Sequence, residues 1–85
     1  MNGTCYLCGK RGYIHVHHVY GGSYRKTSDL FGLTVDLCPK CHEFIHSGNG
    51  TETRRQLQHE VQQAYMDKMG WDVNYWIHVW GKSWL

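Results

Sequence analysis

The first half of the chain contains short runs of apolar and aromatic residues, each bounded by turn-forming residues. Residues 12–20 (GYIHVHHVY) are rich in β-branched and aromatic side chains and are bounded by glycines, a pattern that predicts a β-strand. Residues 33–38 (LTVDLC) predict a second short strand. Residues 21–32 open with two glycines and are mostly polar, so we expect a loop between the strands.

The second half of the chain predicts helices. No helix breaker follows Pro39 until the sequence SGNG at residues 47–50, so a helix is expected between them. A longer helix is expected to begin at Thr51 or Thr53, either of which can cap it, and to run to about Met69. Its apolar residues recur at steps of three and four and therefore share one face. These residues are Leu57, Val61, Ala64, Tyr65 and Met69.

A last short helix is expected between Asp72, which can act as its N-cap, and Gly81, which ends it. Four tryptophans give this C-terminal segment a large apolar surface. They are Trp71, Trp76, Trp80 and Trp84. We expect them to pack onto the rest of the domain rather than to form a surface for a partner.

The length and composition indicate one small α+β domain covering residues 1–85. A domain of this size buries little apolar surface, so it commonly needs a metal ion or disulfides for stability. Four cysteines and seven histidines are available for such a role.

The N-terminal residues do not combine a basic start with an apolar run, so no export signal is expected. No segment approaches the roughly 20 apolar residues of a membrane span. We therefore expect a soluble, cytoplasmic protein whose thiols stay reduced and free to bind metal.

The net charge of +2 is a weak indication of a polyanionic partner. Residues 1–50 contain five basic and three acidic side chains, whereas residues 51–85 contain four of each. The excess positive charge thus lies in the half of the chain that holds the candidate metal ligands. A chance imbalance on a solvated surface explains it equally well.

The cysteines form two C-x2-C pairs, Cys5 with Cys8 and Cys38 with Cys41, separated by 29 residues. Two such pairs can deliver four thiolates to one tetrahedral zinc ion. A redox-active pair would need one thiol of low pKa at a helix N-terminus, and two redox pairs in so short a chain are the weaker interpretation. We predict a structural Zn²⁺ site.

The histidines form a second candidate cluster. His42 and His46 are four residues apart, so both rings face the same side of the predicted helix. Alone, this spacing is common among surface histidines. His17 and His18 lie at the end of the first predicted strand, just after the first cysteine pair, and a zinc ion joining the pairs would bring the strand and the helix together. Three nitrogen ligands with open coordination positions are typical of a catalytic metal.

The segments HVHHVYGG and LCPKCHEFIH together resemble the HNH endonuclease motif, in which two strands and a helix surround one metal ion. The resemblance covers about residues 5–47 and leaves a helical tail at about 51–85. It implies a ββα-metal core braced by the four-cysteine zinc site. The final VWGKSWL is similar to the ends of small HNH proteins of bacteriophages, which would place the protein in a bacterial or phage-infected cell.

The resemblance also implies roles for four histidines. It makes His17, His42 and His46 ligands of a catalytic divalent ion, which can be Mg²⁺, Mn²⁺, Ni²⁺ or Zn²⁺. It makes His18 the general base, a role suited to a side chain type that titrates near neutral pH. We expect His15, two residues from His17 on the same strand face, to be exposed, with an outer-shell role near the metal as the alternative.

The chain departs from the HNH pattern at its middle residue. The family commonly has an asparagine a few positions before the second cysteine pair, where it steadies the backbone around the base. Residues 28–38 (SDLFGLTVDLC) contain no asparagine. Ser28 or Asp29 can take over the orientation of His18, or no residue does.

The implied activity is hydrolysis of DNA phosphodiester bonds to a 5′-phosphate and a 3′-hydroxyl. Arg25 and Lys26 are the first candidates for binding DNA phosphates, and Lys10 and Arg11 are the second, although all four can simply be solvated. Contacts to phosphates carry little sequence information, so we expect weak sequence preference. A monomer or weak dimer is expected; a monomer would nick, and paired molecules could cut both strands.

Two other functions fit the same sequence. The chain can be a zinc-stabilised DNA-binding module without catalytic activity. It can also be a domain whose tryptophan-rich tail docks on a partner such as a phage packaging enzyme or another DNA-processing protein.

Overall fold

A computed structural model describes residues 1–85, with the strands in the first half of the chain and the longest helix in the second. The strands are β1 (Asn2–Thr4), β2 (Arg11–Tyr13), β3 (His15–His18) and β4 (Thr34–Leu37). The helices are α1 (Arg25–Phe31), α2 (Pro39–His46), α3 (Thr51–Met69) and α4 (Val73–Trp80). This arrangement confirms a small α+β protein. None of the helices combines the length and the apolar character needed to span a bilayer.

The strands form two antiparallel hairpins rather than one continuous sheet. Strand β1 pairs with β2, and β3 pairs with β4 in a register that sets His15 opposite Leu37. The prediction of a single strand over residues 12–20 is wrong. Ile14 lies between β2 and β3 and separates the two strand pairings. Its side chain is buried, and its N–H donates to the carbonyl of Met1. Strand β1 has too few apolar residues to be predicted from its sequence.

The loop expected over residues 21–32 is also wrong, since it contains helix α1 and one turn of 3₁₀ helix (Gly22–Tyr24) before it. Arg25–Phe31 contains no glycine or proline, and the helix ends where Gly32 adopts a left-handed conformation with φ of 70°. The side chain of Phe31 packs against the tryptophans of the tail. This tertiary contact stabilises a helix that its flanking glycines obscure in the sequence.

Helix α2 begins and ends where the sequence predicts. Pro39 occupies its first turn, where a missing N–H costs nothing. The helix ends at Ser47, and a short 3₁₀ turn leads into α3. Gly50 is required there by close packing, because a Cβ atom at this position would lie 2.0 Å from the carbonyl oxygen of Phe44. The resulting tight turn sets α3 against α2.

The buried face of α3 is turned relative to the predicted one. Leu57, Gln62 and Met66 are buried, whereas Ala64 and Met69, both expected on the apolar face, are exposed. Neither Thr51 nor Thr53 caps the helix, since Gly50 precedes its first residue and no side chain caps it. The remaining predicted positions, Val61 and Tyr65, are partly buried against the core.

Gln62 explains why the helix face is turned. Its Oε1 accepts a hydrogen bond from the N–H of Trp84 at 2.7 Å, and its Nε2 donates to Oγ of Ser83 at 2.9 Å. Burying the amide is therefore compensated by hydrogen bonds to the C-terminal segment. These long-range contacts fix the tail on α3 and are invisible to an apolar pattern.

Tyr20 is the centre of the aromatic core. Its ring lies 4.3–5.9 Å from those of Trp76, Trp80 and Trp84, and its hydroxyl donates to the carbonyl of Gln58 at 2.6 Å. The expectation that the tryptophans pack inward is confirmed: Trp76 and Trp80 are buried, and Trp71 and Trp84 are half-buried. Because Tyr20 lies two residues after the end of β3, the core anchors the strand end that carries the histidines.

Candidate metal centres

Four thiols meet where the β1–β2 turn approaches the N-terminus of α2. The sulfur atoms of Cys5, Cys8, Cys38 and Cys41 all lie within 4.8 Å of one another. The Sγ atoms of Cys8 and Cys38 are 3.8 Å apart, which is too far for a disulfide. It is about the edge length of a tetrahedron of sulfurs around Zn²⁺ with bonds of about 2.3 Å. The donor set and the spacing fit a structural metal, as the sequence predicts.

The ionisation of these thiols also favours a bound cation. Burial alone raises the pKa of Cys5, but hydrogen bonds from the backbone of Cys38, Cys8 and Leu7 outweigh it and hold that pKa at about 6. Burial, followed by the neighbouring thiols, raises the pKa of Cys41 to about 12. Cys5 thus readily forms a thiolate whereas Cys41 resists ionisation beside it, and a divalent cation would offset that repulsion.

The cysteine cluster holds the two hairpins together. The N–H of Tyr6, between the first two cysteines, donates to the carbonyl of Asp36 in β4 at 2.7 Å. Cys38 follows β4 directly and accepts, through Sγ, the N–H of Cys41 in the first turn of α2. Strand β4 and helix α2 are therefore fixed at one end by the cluster.

A second cluster lies on the other side of α2. Ring nitrogens of His17, in β3, and of His42 and His46, in α2, all lie within 4.8 Å of one another. The three rings meet edge to face, with centroids 4.9–5.4 Å apart. Nitrogens bound to one ion with bonds of about 2.0–2.1 Å lie about 3.4 Å apart, so small side-chain movements would close the set. The structure brings together the three histidines that the sequence singles out.

His17 is the most constrained member of the histidine cluster. It is 5% exposed, and its buried Nε2 has no hydrogen-bond partner. Burial, followed by the charges of His46 and His42, lowers its pKa to about 4. Burial also lowers the pKa of His42. Both imidazoles are therefore neutral at pH 7, with lone pairs available, and an unpartnered buried nitrogen among them fits a metal ligand.

His18 lies beside this cluster and contacts a carboxylate. Its Nε2 is 2.7 Å from Oδ1 of Asp29 in α1. The buried Ser28 fixes the backbone nearby: its Oγ donates to the carbonyl of Tyr20 at 2.8 Å and accepts the N–H of the same residue at 3.3 Å. Asp29 thus orients the ring of His18, while Ser28 holds the chain two residues after it.

His15 is not exposed as expected. Its Nδ1 lies 3.0 Å from Nδ1 of His42, and its ring is half-buried between Tyr13 and His42. One of the two nitrogens must donate and the other accept. When Nδ1 of His42 donates this bond, Nε2 of His42 keeps its lone pair and is free to bind a metal ion.

The predicted phosphate-binding residues separate into different places. Arg25 lines a cavity of about 270 Å³ together with the histidine cluster and His18. Lys26 is exposed on α1 outside this lining. Lys10 and Arg11 line another cavity, beside the cysteine cluster.

Arg54, near the start of α3, is a further cation that the sequence analysis did not single out. Its Nη1 donates to the carbonyl of Ile45 at 3.4 Å, and its charge contributes to the lowered pKa of His17. Its guanidinium therefore lies near the histidine cluster. Only its position after the turn that follows α2 could have indicated this.

No family model, curated protein or solved structure matches this chain. The inference of function consequently rests on the two clusters, on His18 with Asp29, and on the arginines around them.

Proposed function

We propose that this protein is a metal-dependent endonuclease of the HNH type that hydrolyses DNA phosphodiester bonds. The observation that carries the proposal is the convergence of three imidazoles beside a fourth histidine, His18, which a carboxylate orients. The pairing of β3 with β4 beside α2 supports the ββα arrangement that the resemblance implies.

His17, His42 and His46 would hold the catalytic ion. The unpartnered Nε2 of His17 is the strongest support, because a buried polar atom normally has a partner. A donor set made only of imidazoles suits Ni²⁺ or Zn²⁺ better than Mg²⁺ or Mn²⁺. Bound there, the ion would supply Lewis-acid stabilisation of the charge that develops on the phosphoryl group.

His18 acts as the general base. The carboxylate of Asp29 can only accept a hydrogen bond, so Nε2 carries the proton and Nδ1 keeps its lone pair. Nδ1 takes a proton from water as the water oxygen bonds to phosphorus. The bond between phosphorus and the 3′ oxygen breaks, and that oxygen takes a proton from solvent. The products are a 5′-phosphate and a 3′-hydroxyl, and the ion pair with Asp29 stabilises the imidazolium formed on the way.

The arginines nearest to this centre bind the phosphates. Arg25 lines the same cavity as the histidines, and Arg54 lies on the α3 side of His17. A guanidinium can donate two parallel hydrogen bonds to one phosphate and keeps its charge at any physiological pH. These contacts position the backbone of the DNA without reading its sequence.

The proposal is tested by incubating supercoiled plasmid with the zinc-loaded protein and added Mn²⁺, Ni²⁺, Zn²⁺ or Mg²⁺. Nicked circles are expected with at least one of these ions. His18→Ala should slow nicking by about 10²–10⁴-fold, the usual contribution of a general base. His78→Ala is the matched control, because this histidine is exposed on α4 outside both clusters.

Two results would contradict the proposal. Absence of cleavage with every ion would favour a DNA-binding module without catalytic activity. Equal cleavage by His18→Ala and the parent protein would refute the role of His18 as the general base. Both proteins would then be compared for retained affinity for the same plasmid.

A further inference from the structure

A second basic cavity, of about 360 Å³, lies beside the cysteine cluster. Three cations line it, Lys10 and Arg11 from the end of the β1–β2 turn and Lys40 from the first turn of α2, and no acidic residue does. All three side chains are exposed. Arg11 donates one hydrogen bond to Oγ1 of Thr4 at 3.3 Å, which leaves its other donors free. The cavity therefore presents donors of one charge sign around one concave surface.

An aromatic ring that is not part of the hydrophobic core lies at this cavity. Tyr13 is 58% exposed and lines the cavity together with the three cations. The large aromatic cluster of the protein lies elsewhere, packed around Tyr20 in the interior. Cations beside an exposed aromatic face are the combination that binds single-stranded nucleic acid, because bases stack on the ring while phosphates contact the charges.

A row of contacting rings leads from the cavity to the histidine cluster. The ring of Tyr13 meets His15 edge to face at 5.4 Å, and the ring of His15 meets His42 at 5.1 Å. A strand that rises about 3.4 Å per nucleotide would cover these two steps in about three nucleotides. One DNA strand can therefore reach the cavity while its scissile phosphate lies at the histidines.

The cations have a rival explanation in the cysteine cluster. Four thiolates around one Zn²⁺ carry a net charge of −2, and the three nearby cations would compensate it. Charge compensation does not explain the exposed ring of Tyr13, nor a third positive charge beyond the two required. The two explanations differ in what the cations stabilise, which is either nucleic acid or zinc.

We propose that the cavity formed by Lys10, Arg11, Lys40 and Tyr13 binds an unpaired nucleotide of the DNA strand that passes the histidine cluster, with the base on Tyr13 and the phosphates on the cations. This inference rests on the proposed function in taking DNA as the ligand. It adds a preference for DNA that is single-stranded or frayed about three nucleotides from the cut.

The test measures binding separately from cleavage. The zinc-loaded His18→Ala protein is titrated, without added catalytic metal, into fluorescently labelled DNA, and anisotropy gives Kd. Three probes are compared: a single strand, a fully paired duplex, and the same duplex with a three-nucleotide single-stranded end. The variants, made in this background, are Tyr13→Ala, Tyr13→Phe and the triple substitution Lys10→Gln/Arg11→Gln/Lys40→Gln.

Tyr13→Ala should weaken binding of the single strand and of the duplex with the unpaired end by about 5- to 100-fold, as expected for one lost stacking contact. Tyr13→Phe should bind like the parent, and the fully paired duplex should be insensitive to both changes. The triple substitution should reduce the slope of log K against log salt for the single strand by about 2, since three phosphate contacts are lost.

A matched charge control uses three exposed cations elsewhere, Arg55→Gln/Lys68→Gln/Lys82→Gln, which changes the net charge by the same amount. Equal losses in the two triple variants would overturn the proposal, because the effect would be one of net charge. Loss of zinc from the Lys10, Arg11 and Lys40 variant, measured by mass spectrometry, would also overturn it in favour of charge compensation. Unchanged binding of the duplex with the unpaired end by Tyr13→Ala would overturn the proposed contact between a base and Tyr13.

The outcome is separable from that of the cleavage proposal. Metal-dependent nicking together with unchanged binding by the variants would refute the cavity alone. If binding depends on Tyr13 and the three cations but the protein does not cleave DNA with any of the metals, the cavity proposal would be supported and the nuclease proposal refuted.

Discussion

Helix α2 contributes to two clusters that differ in almost every property relevant to metal binding. Cys38 and Cys41, at its start, join two distant thiols in a set of four within 4.8 Å, and one of these, Cys5, is fully buried. His42 is the residue after Cys41. Together with His46 it joins a single histidine of β3 in a set of three that lines an open cavity. Four thiolates can complete a tetrahedron around one ion, whereas three imidazoles would leave coordination positions free.

The difference follows from helix geometry. Successive residues of an α-helix point about 100° apart, so Cys41 and His42 face different sides although they are adjacent. Residues four apart point the same way, which sets His46 beside His42. One short helix can therefore attach the fold to one ion and present ligands to another. The cysteine cluster is suited to stability and the histidine cluster to chemistry.

The largest expected effect is on the cysteine side of this comparison. Cys38→Ser removes one of the four sulfur ligands and leaves a hydroxyl that can still cap α2. Binding of a structural zinc contributes on the order of 10 kcal/mol to folding in small domains, comparable with the whole stability of a typical protein. We expect the variant to lose its zinc and its cooperative thermal unfolding, as measured by mass spectrometry and circular dichroism.

The matched variant on the other side is His42→Ala/His46→Ala. It should retain one zinc ion per chain and a cooperative melting transition, while losing the second metal and any nicking activity. Global unfolding of this double variant, or a cooperative and zinc-loaded Cys38→Ser protein, would show that the two clusters do not divide stability and chemistry between them.

The second-largest effect is expected at the carboxylate of Asp29, beside the histidine cluster. Asp29→Asn keeps the shape of the side chain but loses the charge that fixes the tautomer of His18. We expect nicking to slow, by no more than the about 10²–10⁴-fold that a general base supplies, with metal affinity unchanged. Asp36→Asn, on an exposed position of β4, is the control. A loss of metal affinity in Asp29→Asn would contradict a role confined to the base.

These contacts also show how far the sequence predicts this molecule. The two clusters, α2 and the inward packing of the tryptophans could be predicted, because each depends on spacing along a short segment or on a large apolar surface. Helix α1 could not, since it is stabilised by Phe31 packing on residues of the distant tail. The turned face of α3 depends in the same way on Gln62 and the tail.

The surroundings of the histidine cluster were predictable only in part. The spacing of residues 17, 42 and 46 follows from strand and helix geometry, whereas the partners of His15 and His18 depend on how separate elements pack. The assignment of His15 as exposed failed for that reason: strand alternation gives its face but not its neighbour. The chain offered Ser28 and Asp29 as alternatives for one task, and the structure gives each a different contact.

A smaller effect is expected at His15. His15→Phe keeps the ring between Tyr13 and His42 but removes the nitrogen that bonds Nδ1 of His42. Loss of such an outer partner typically weakens metal affinity by about 10–100-fold. The measurement is a titration with Co²⁺ of protein that already holds zinc at its cysteines, followed by visible absorption. His15→Gln should recover part of the loss; equal affinity of His15→Phe and the parent would leave the hydrogen bond without a role at the metal.

The smallest effect is a dependence of stability on pH that arises on the histidine side. In protein with zinc at the cysteines and no second metal, His17 has a pKa of about 4, below the ordinary 6.5. Between these values the unfolded chain binds a proton that the folded chain does not, so stability falls as the pH falls. His17 alone should lower the free energy of unfolding by about 1 kcal/mol between about pH 7.5 and about pH 5.5. Denaturant titrations of the parent and of His17→Gln, with zinc content checked at each pH, should show a shallower slope for the variant. Equal slopes would mean that His17 has no part in the pH response.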